Sequence, residues 1–292
     1  MIEGFWRVRP RGRNSLVVGF DCGATKTECA ISTIEGEILS YTRGPPSNYH
    51  LVGREGAKKV IIECYRRAKS GVKGEVEVVC VGTAGLDSRA DEEIIRSYVE
   101  ELPIRGRKII VHDSEIALRA AFPSGKGVIV NAGTGSFVAG TDGSGGFARA
   151  CDWGHIIGDE GGGYYLGRAA LNAVMREYDG RGPKTSLTRE IMSFWKLEEP
   201  RDIMEIVYVR KAGVTEIAAL APLVFKASEQ GDAVARGILE GAARELALGV
   251  EAVVRRLGLN RGELRLALTG GLLRKGSPLR VLLVSLIEKE FP

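Results

Sequence analysis

The sequence predicts an α/β protein built from two similar units, and three observations carry the prediction. An apolar run, a glycine/threonine turn and a second strand-like run open the chain at Gly19-Phe20-Asp21-Cys22-Gly23-Ala24-Thr25-Lys26-Thr27. The same order returns at Val130-Asn131-Ala132-Gly133-Thr134-Gly135-Ser136, as expected of a duplicated unit. Glycine supplies 39 of 292 residues, nearly double the usual ~7%, which marks turns where backbone comes close to a ligand. A chain of this length either splits into two domains or builds one large one. Two such domains facing one cleft can grip one polyphosphate with both turns.

The elements follow in order. Residues 16–20 are an apolar run suited to a buried strand, and 27–34 alternate loosely. Glu35-Gly36 turns the chain into a third strand at 37–42, making a short meander. A Pro-rich loop spans 44–48, and 54–69 has helical spacing with Val60, Ile61 and Cys64 on its apolar face. A β-branched strand at 76–81, a helix at 91–102, a strand at 108–111 and a helix at 114–122 complete the first half. The second half restarts with strands at 128–131, 137–140 and 148–151, the last two joined by the glycine-rich loop 143–146. Helices at 163–178, 215–226 and 232–257 follow, then a strand at 264–268 and a helix at 278–290.

Composition excludes several classes. A net charge of +4 with 41 basic and 37 acidic residues is an interspersed surface, not a nucleic-acid patch. The one basic cluster, Arg7, Arg9, Arg11 and Arg13, precedes the first strand and reads as a solvated tail over 1–14. No apolar run reaches the ~20 residues of a membrane span, and no signal-peptide core opens the chain. A cytoplasmic protein is expected. Cys22, Cys29, Cys64, Cys80 and Cys151 are scattered, with no C-x-x-C pair or zinc spacing, and read as reduced thiols. His50, His112 and His155 lie far apart and form no metal motif. There is no G-x-x-x-x-G-K-[ST], no G-x-G-x-x-G after a strand and no G-x-S-x-G elbow, so a nucleotide site here is of another kind.

Five segments carry chemistry. Asp21 ends the first strand, where a carboxylate can hold Mg²⁺. Gly23 permits a tight turn whose N–H groups, with the Thr25 hydroxyl, can meet phosphate oxygens, and Lys26 can add charge. An ordinary hairpin with a surface Asp fits equally well. Asp113, in Val111-His112-Asp113-Ser114, is a strand-end carboxylate before a helix, and so either an N-cap or a general base. Gly133, Thr134, Gly135 and Ser136 offer N–H groups and two hydroxyls to phosphate. Trp153-Gly154-His155-Ile156-Ile157-Gly158-Asp159-Glu160-Gly161-Gly162-Gly163 packs five glycines and two acids before a helix. Asp159 can accept hydrogen bonds from two sugar hydroxyls, whereas Glu160 also fits as a first-turn charge. Thr269-Gly270-Gly271 ends the last strand with a glycine pair on which a flat base can lie.

The ordered set DCGATKT, GPPSNYH, AGLDS, HDS, NAGTGS, WGHIIGDEGGGYYLG and LTGG resembles the N-acetylglucosamine kinase and BadF/BadG ATPase family of the actin/hexokinase/Hsp70-like superfamily, over residues 17–273. Within it the chain is similar to archaeal sugar kinases of broad hexose specificity. The resemblance implies two duplicated actin-like ATPase (ribonuclease H-like) domains, each a mixed sheet flanked by helices, at 15–113 and 114–292, the second with a helical insertion. It implies ATP and Mg²⁺, with Asp21 near the metal. The phosphate loops are then Gly23, Ala24, Thr25 and Lys26, and Gly133, Thr134, Gly135 and Ser136, while Gly270 and Gly271 meet adenosine. Asp113 becomes the base that polarises the 6-hydroxyl of N-acetylglucosamine, glucosamine or glucose. Asn48, Asp87 and Asp159 hold sugar hydroxyls, and Glu160 is a further sugar or amide contact. The partner is a small-molecule sugar, with neither nucleic acid nor membrane, and relatives are commonly homodimers.

Two features depart from the family pattern. Phe137 stands where N-acetylglucosamine kinases often carry a sugar-contacting Asn, and the sequence ends at Pro292 where relatives usually continue with another helix. The family's other branch comprises ATPase activators of 2-hydroxyacyl-CoA dehydratases, which share a four-cysteine iron–sulfur cluster across a dimer and need two ligands per subunit. Only Cys151 follows residue 80. A non-catalytic sugar sensor of the superfamily's repressor type would carry a helix-turn-helix, for which the fourteen residues before the first strand do not suffice.

Overall fold

The computed structural model describes residues 15–123, 125–260 and 264–291, and the basic stretch 1–14 lies outside them. The chain forms two compact units that divide between Ala120 and Ala121.

The first unit holds a five-stranded sheet in the order β3-β2-β1-β4-β5. Its strands are β1 (Ser15–Cys22), β2 (Thr27–Thr33), β3 (Ile38–Gly44), β4 (Glu75–Thr83) and β5 (Arg107–His112). The first three form an antiparallel meander, while β1, β4 and β5 run parallel. Helices α1 (Tyr49–Lys69), α2 (Arg89–Glu100) and α3 (Asp113–Ala121) complete it. Asn48 caps α1 by accepting the His50 N–H, so this helix begins earlier than its apolar spacing suggests, and it breaks at Gly53, where φ is 71°. A reciprocal capping box between Ser88 and Asp91 starts α2. Val18, Phe20, Ile31, Ile61, Val79, Val81 and Ile95 form the core. Burying Ile61 or Ile95 contributes about 1.5–3 kcal/mol each.

The second unit holds a four-stranded sheet in the order β8-β7-β6-β9, from β6 (Gly127–Ala132), β7 (Ser136–Thr141), β8 (Phe147–Cys151) and β9 (Leu266–Thr269). Again the first three strands are antiparallel neighbours and the first pairs in parallel with a later one. The repeat seen in the sequence is therefore a repeat of topology. The helices are α4 (Gly154–Ile157), α5 (Gly163–Tyr178), α6 (Leu187–Trp195), α7 (Val214–Ala218), α8 (Ala221–Glu229), α9 (Ala233–Leu257) and α10 (Pro278–Glu290). Helix α9 lies on β6, β7 and β8, and α5, α8 and α10 pack against α9. Two expectations change. The single helix expected over 215–226 divides into α7 and α8, with Pro222 in the first turn of α8, where its missing N–H costs no helical bond. The helix α6 lies where the sequence signalled none.

Candidate active site

In the first unit the strands β1, β4 and β5 point the same way, so the segments after them meet at one edge of the sheet. This carboxyl edge is where ligands bind in open α/β sheets. After β1 comes Asp21 and the turn 23–26. After β4 comes Gly85 to Asp87, and after β5 comes Asp113.

The turn is closed by the Gly23 N–H donating to the Lys26 carbonyl at 2.9 Å. The Gly23 carbonyl accepts from the Ser47 and Asn48 N–H groups at 3.3 and 3.2 Å. Thr27 fastens the same loop from below, its hydroxyl donating to the Pro45 carbonyl at 2.7 Å. Ala24 and Thr25 are exposed, and their N–H groups have no acceptor among the described residues. Lys26 pairs with Glu28. Burial, then the Asp113 and Glu28 charges, push the Asp21 carboxyl above its ordinary value, with Lys26 opposing. This surplus of carboxylate oxygen suits a hard divalent cation.

Asn48 is the α1 cap, and it stands beside the next loop. At Gly85, where φ is 81°, a Cβ would lie 2.6 Å from the His50 ring and 3.1 Å from the Asn48 Oδ1. Asp91 holds the loop that carries Asp87. Its Oδ2 accepts from the Asp87 and Ser88 N–H groups at 3.1 and 2.7 Å, and Oδ1 meets the Tyr49 hydroxyl and lies 3.2 Å from His50 Nε2. Burial raises the Asp91 pKa, but the hydrogen bonds from Tyr49, Ser88 and the loop backbone outweigh it, and the net shift is downward.

Asp113 is the first residue of α3, not a flanking cap. Its Oδ1 accepts the Ser114 N–H at 2.8 Å and lies 2.9 Å from His112 Nδ1. Gly82 of β4 leaves the space that Ile116 of α3 fills, and that packing fixes where α3 begins.

In the second unit β6 and β9 run parallel, and the glycine motifs again follow their carboxyl ends. The turn Gly133 to Ser136 rests on the head of α5. Gly163 N–H donates to the Gly133 carbonyl at 2.8 Å and Tyr164 N–H to the Thr134 carbonyl at 3.0 Å. The N–H groups of Thr134 and Gly135 have no acceptor among the described residues. A Cβ on Gly162 would sit 2.7 Å from the Gly135 backbone, so both glycines are needed for the two loops to touch. The Asp159 carboxylate lies against Gly135, and Asp159 itself takes a left-handed φ of 56°. Glu160 joins through its main chain, its carbonyl accepting from the Ser136 hydroxyl at 2.7 Å. Gly270, at φ 89°, passes against Ala132 so closely that no side chain fits, whereas Gly271 is exposed with open space above it. Phe137 is buried in β7, opposite Asn131 and Cys151.

The model of the BadF/BadG/BcrA/BcrD ATPase family matches residues 18–291. The chain belongs to that family. It is 38% identical over 262 residues to the N-acetylmuramic acid/N-acetylglucosamine kinase of Clostridium acetobutylicum, covering 88% of this chain and 85% of that protein. It is 31% identical over 291 residues to the N-acetyl-D-glucosamine kinase of Dictyostelium discoideum, covering 95% and 91%. Among solved structures, a Chromobacterium violaceum protein assigned as an N-acetylglucosamine kinase superposes with a TM-score of 0.74 at 24% identity, over 95% of this chain and 90% of that one. A ROK hexokinase from Thermus thermophilus superposes with a TM-score of 0.56 at 21% identity, over 94% and 88%. The two mixed sheets are thus those of the actin-like ATPase fold, and sugar kinase homology is shared by both sequence relatives. Among the described residues no helix is long and apolar enough to cross a membrane.

His112, Asp91 and Gly162 are not among the candidate site residues that the sequence offers. Gly162 was visible only as part of a glycine-dense segment. His112 precedes the strand-end Asp113 directly, which was the one available signal for it.

Proposed function

We propose that this BadF/BadG-family protein is an ATP-dependent sugar kinase that transfers the γ-phosphate to the 6-hydroxyl of a hexosamine or hexose. The observation that supports it most is the convergence of Asp21, Asp87 and Asp113 at the carboxyl edge of one parallel strand set. In this reading Asp113 accepts the proton of the sugar hydroxyl as the sugar oxygen bonds to the γ-phosphorus and the bond to the ADP oxygen breaks. Asn48, Asp87 and Asp159 orient the sugar hydroxyls, with Glu160 a further contact. The turns at Gly23, Ala24, Thr25 and Lys26, and at Gly133, Thr134, Gly135 and Ser136, present N–H groups to the phosphates, and Gly270 and Gly271 lie along adenosine. Asp21 would hold Mg²⁺, which when bound neutralises phosphate charge.

The reading extends to the candidate sugars N-acetylglucosamine, glucosamine and glucose, with N-acetylmuramic acid added by the Clostridium relative. The narrower likeness to archaeal sugar kinases of broad hexose specificity is part of this proposal; the named sequence relatives are bacterial and from Dictyostelium, and a substrate panel measures the breadth. A reductive activator role is disfavoured because Cys151 is the one cysteine after residue 80, whereas a four-cysteine cluster shared across a dimer takes two ligands from each subunit.

The deciding experiment measures ADP release with Mg²⁺ and ATP across these sugars and mannose, with Asp113→Asn in parallel and ³¹P NMR of the product. Turnover should require sugar, give a 6-phosphate, and fall about 10²–10⁴-fold in the variant. Sugar-independent hydrolysis, unchanged by the substitution, sinks the reading.

A further inference from the structure

We propose that His112 is a positioning residue that ties the base Asp113 to the sugar-binding Asp87 and so fixes the aim of both carboxylates. The inference rests on the sugar-kinase reading. His112 ends β5 with only 9% of its side chain exposed, and its two ring nitrogens face different acids. Nδ1 lies 2.9 Å from Asp113 Oδ1, and Nε2 lies 3.7 Å from Asp87 Oδ1. Asp87 and Asp113 follow different strands, and the pairing of Thr83 with His112 brings those strand ends level.

The ring is bound into the segment that follows it. The Ser114 N–H is shared between His112 Nδ1 at 3.2 Å and Asp113 Oδ1 at 2.8 Å. The Ser114 hydroxyl lies 2.7 Å from Nδ1. Asp113 Oδ1 thus accepts the Ser114 N–H and has the imidazole edge against it at 2.9 Å. That occupies Oδ1 and leaves Oδ2 as the oxygen that takes the proton from the sugar. A fixed carboxylate keeps the reacting hydroxyl within attacking distance, and small misplacements at that point are costly in rate. On the other side of the ring, Nε2 faces the flank of Asp87, whose loop Asp91 already holds by its backbone.

Two substitutions separate the two ends of the ring. His112→Asn puts an amide donor near the Nδ1 position and loses the reach to Asp87. His112→Gln keeps the reach and loses the polar group beside Asp113. Steady-state kinetics should split them: His112→Asn raises the sugar KM roughly tenfold with kcat within threefold, and His112→Gln lowers kcat roughly tenfold with KM little changed, the scale of a modest misplacement. Thermal midpoints are read on the same samples. Equal losses of kcat and KM in both variants, tracking the midpoints, mean that His112 only fills space, and overturn the proposal. So do two variants with wild-type constants.

A second readout needs no turnover. Imidazole ¹⁵N NMR of the unmodified protein should show His112 ring resonances that move in Asp113→Asn. Resonances indifferent to that change overturn the linkage. Should no sugar be phosphorylated at all, the kinase reading fails, and the NMR result still judges whether His112 is bonded to Asp113.

Discussion

Asp21 ends a buried strand, and burial and the neighbouring Asp113 and Glu28 charges raise its pKa, with Lys26 opposing. A carboxyl whose folded pKa is raised contributes its stability below the unfolded value of 3.8 and loses it as pH rises through the folded value. At neutral pH the Asp21 carboxyl therefore works against folding. Asp21→Asn should raise the melting temperature at pH 7, and the gain should vanish as pH approaches 3. The same variant should lose turnover ~10²–10³-fold, on the scale of removing one preorganised electrostatic contact. MgATP should raise the wild-type melting temperature and leave that of Asp21→Asn nearly unmoved. Scanning calorimetry at pH 3 and 7, with and without MgATP, reads all of this. A variant melting below wild type at pH 7 contradicts the electrostatic account.

At the scale of elements, the glycine-rich loops of the second unit are held by close backbone approach. A Cβ on Gly162 would meet the Gly135 backbone at 2.7 to 2.9 Å, and backbone cannot swing aside as a flexible side chain can. Gly162→Ala should cost about 1–3 kcal/mol, as overpacking does, and raise the KM for ATP ~10-fold or more by displacing the phosphate turn. Unchanged ATP kinetics would separate the α5 head from the phosphate turn. Such turns were legible in sequence because glycine is itself the signal. The strands β1 and β6 were legible as apolar runs ended by that signal. Helix α6 was not. Its N-cap Ser186 makes no local side-chain cap. Instead, Ser186 and Thr185 donate to the Asp232 Oδ2, at 2.6 to 2.9 Å, from the cap of α9. Its end lacks glycine, since Lys196 takes the left-handed turn at φ 56°. Both boundaries are thus set by tertiary structure. The Asp87–His112 approach was hidden for a related reason: it depends on the register between β4 and β5, which no local pattern states. Asp113 was legible as either a cap or a base, and the close approach of the His112 ring to its carboxylate is what the fold adds.

For the whole molecule, the two hydrophobic cores share no residue: one draws on positions 16–104, the other on 128–287. Each core is anchored by wholly buried side chains of its own unit, such as Ile61 and Ile95 in the first and Leu239 and Leu246 in the second. Separate cores break the condition for all-or-none unfolding. Calorimetry should show a total enthalpy larger than the van't Hoff value, from two transitions. Two substitutions assign them. In the first unit Tyr98 is wholly buried, and among the described residues its hydroxyl finds no hydrogen-bond partner. Burial pushes that phenol well up. Tyr98→Phe removes an unpaired buried hydroxyl, which should add about 1 kcal/mol and raise one transition by roughly 3–6 °C. Gly162→Ala should lower the other transition and leave the first in place. If a single transition moves with both substitutions, the units unfold as one, and the two cores are energetically coupled despite sharing no side chain. If Tyr98→Phe lowers its transition, the hydroxyl has a bonding partner such as buried water, and the orphan reading of Tyr98 is wrong.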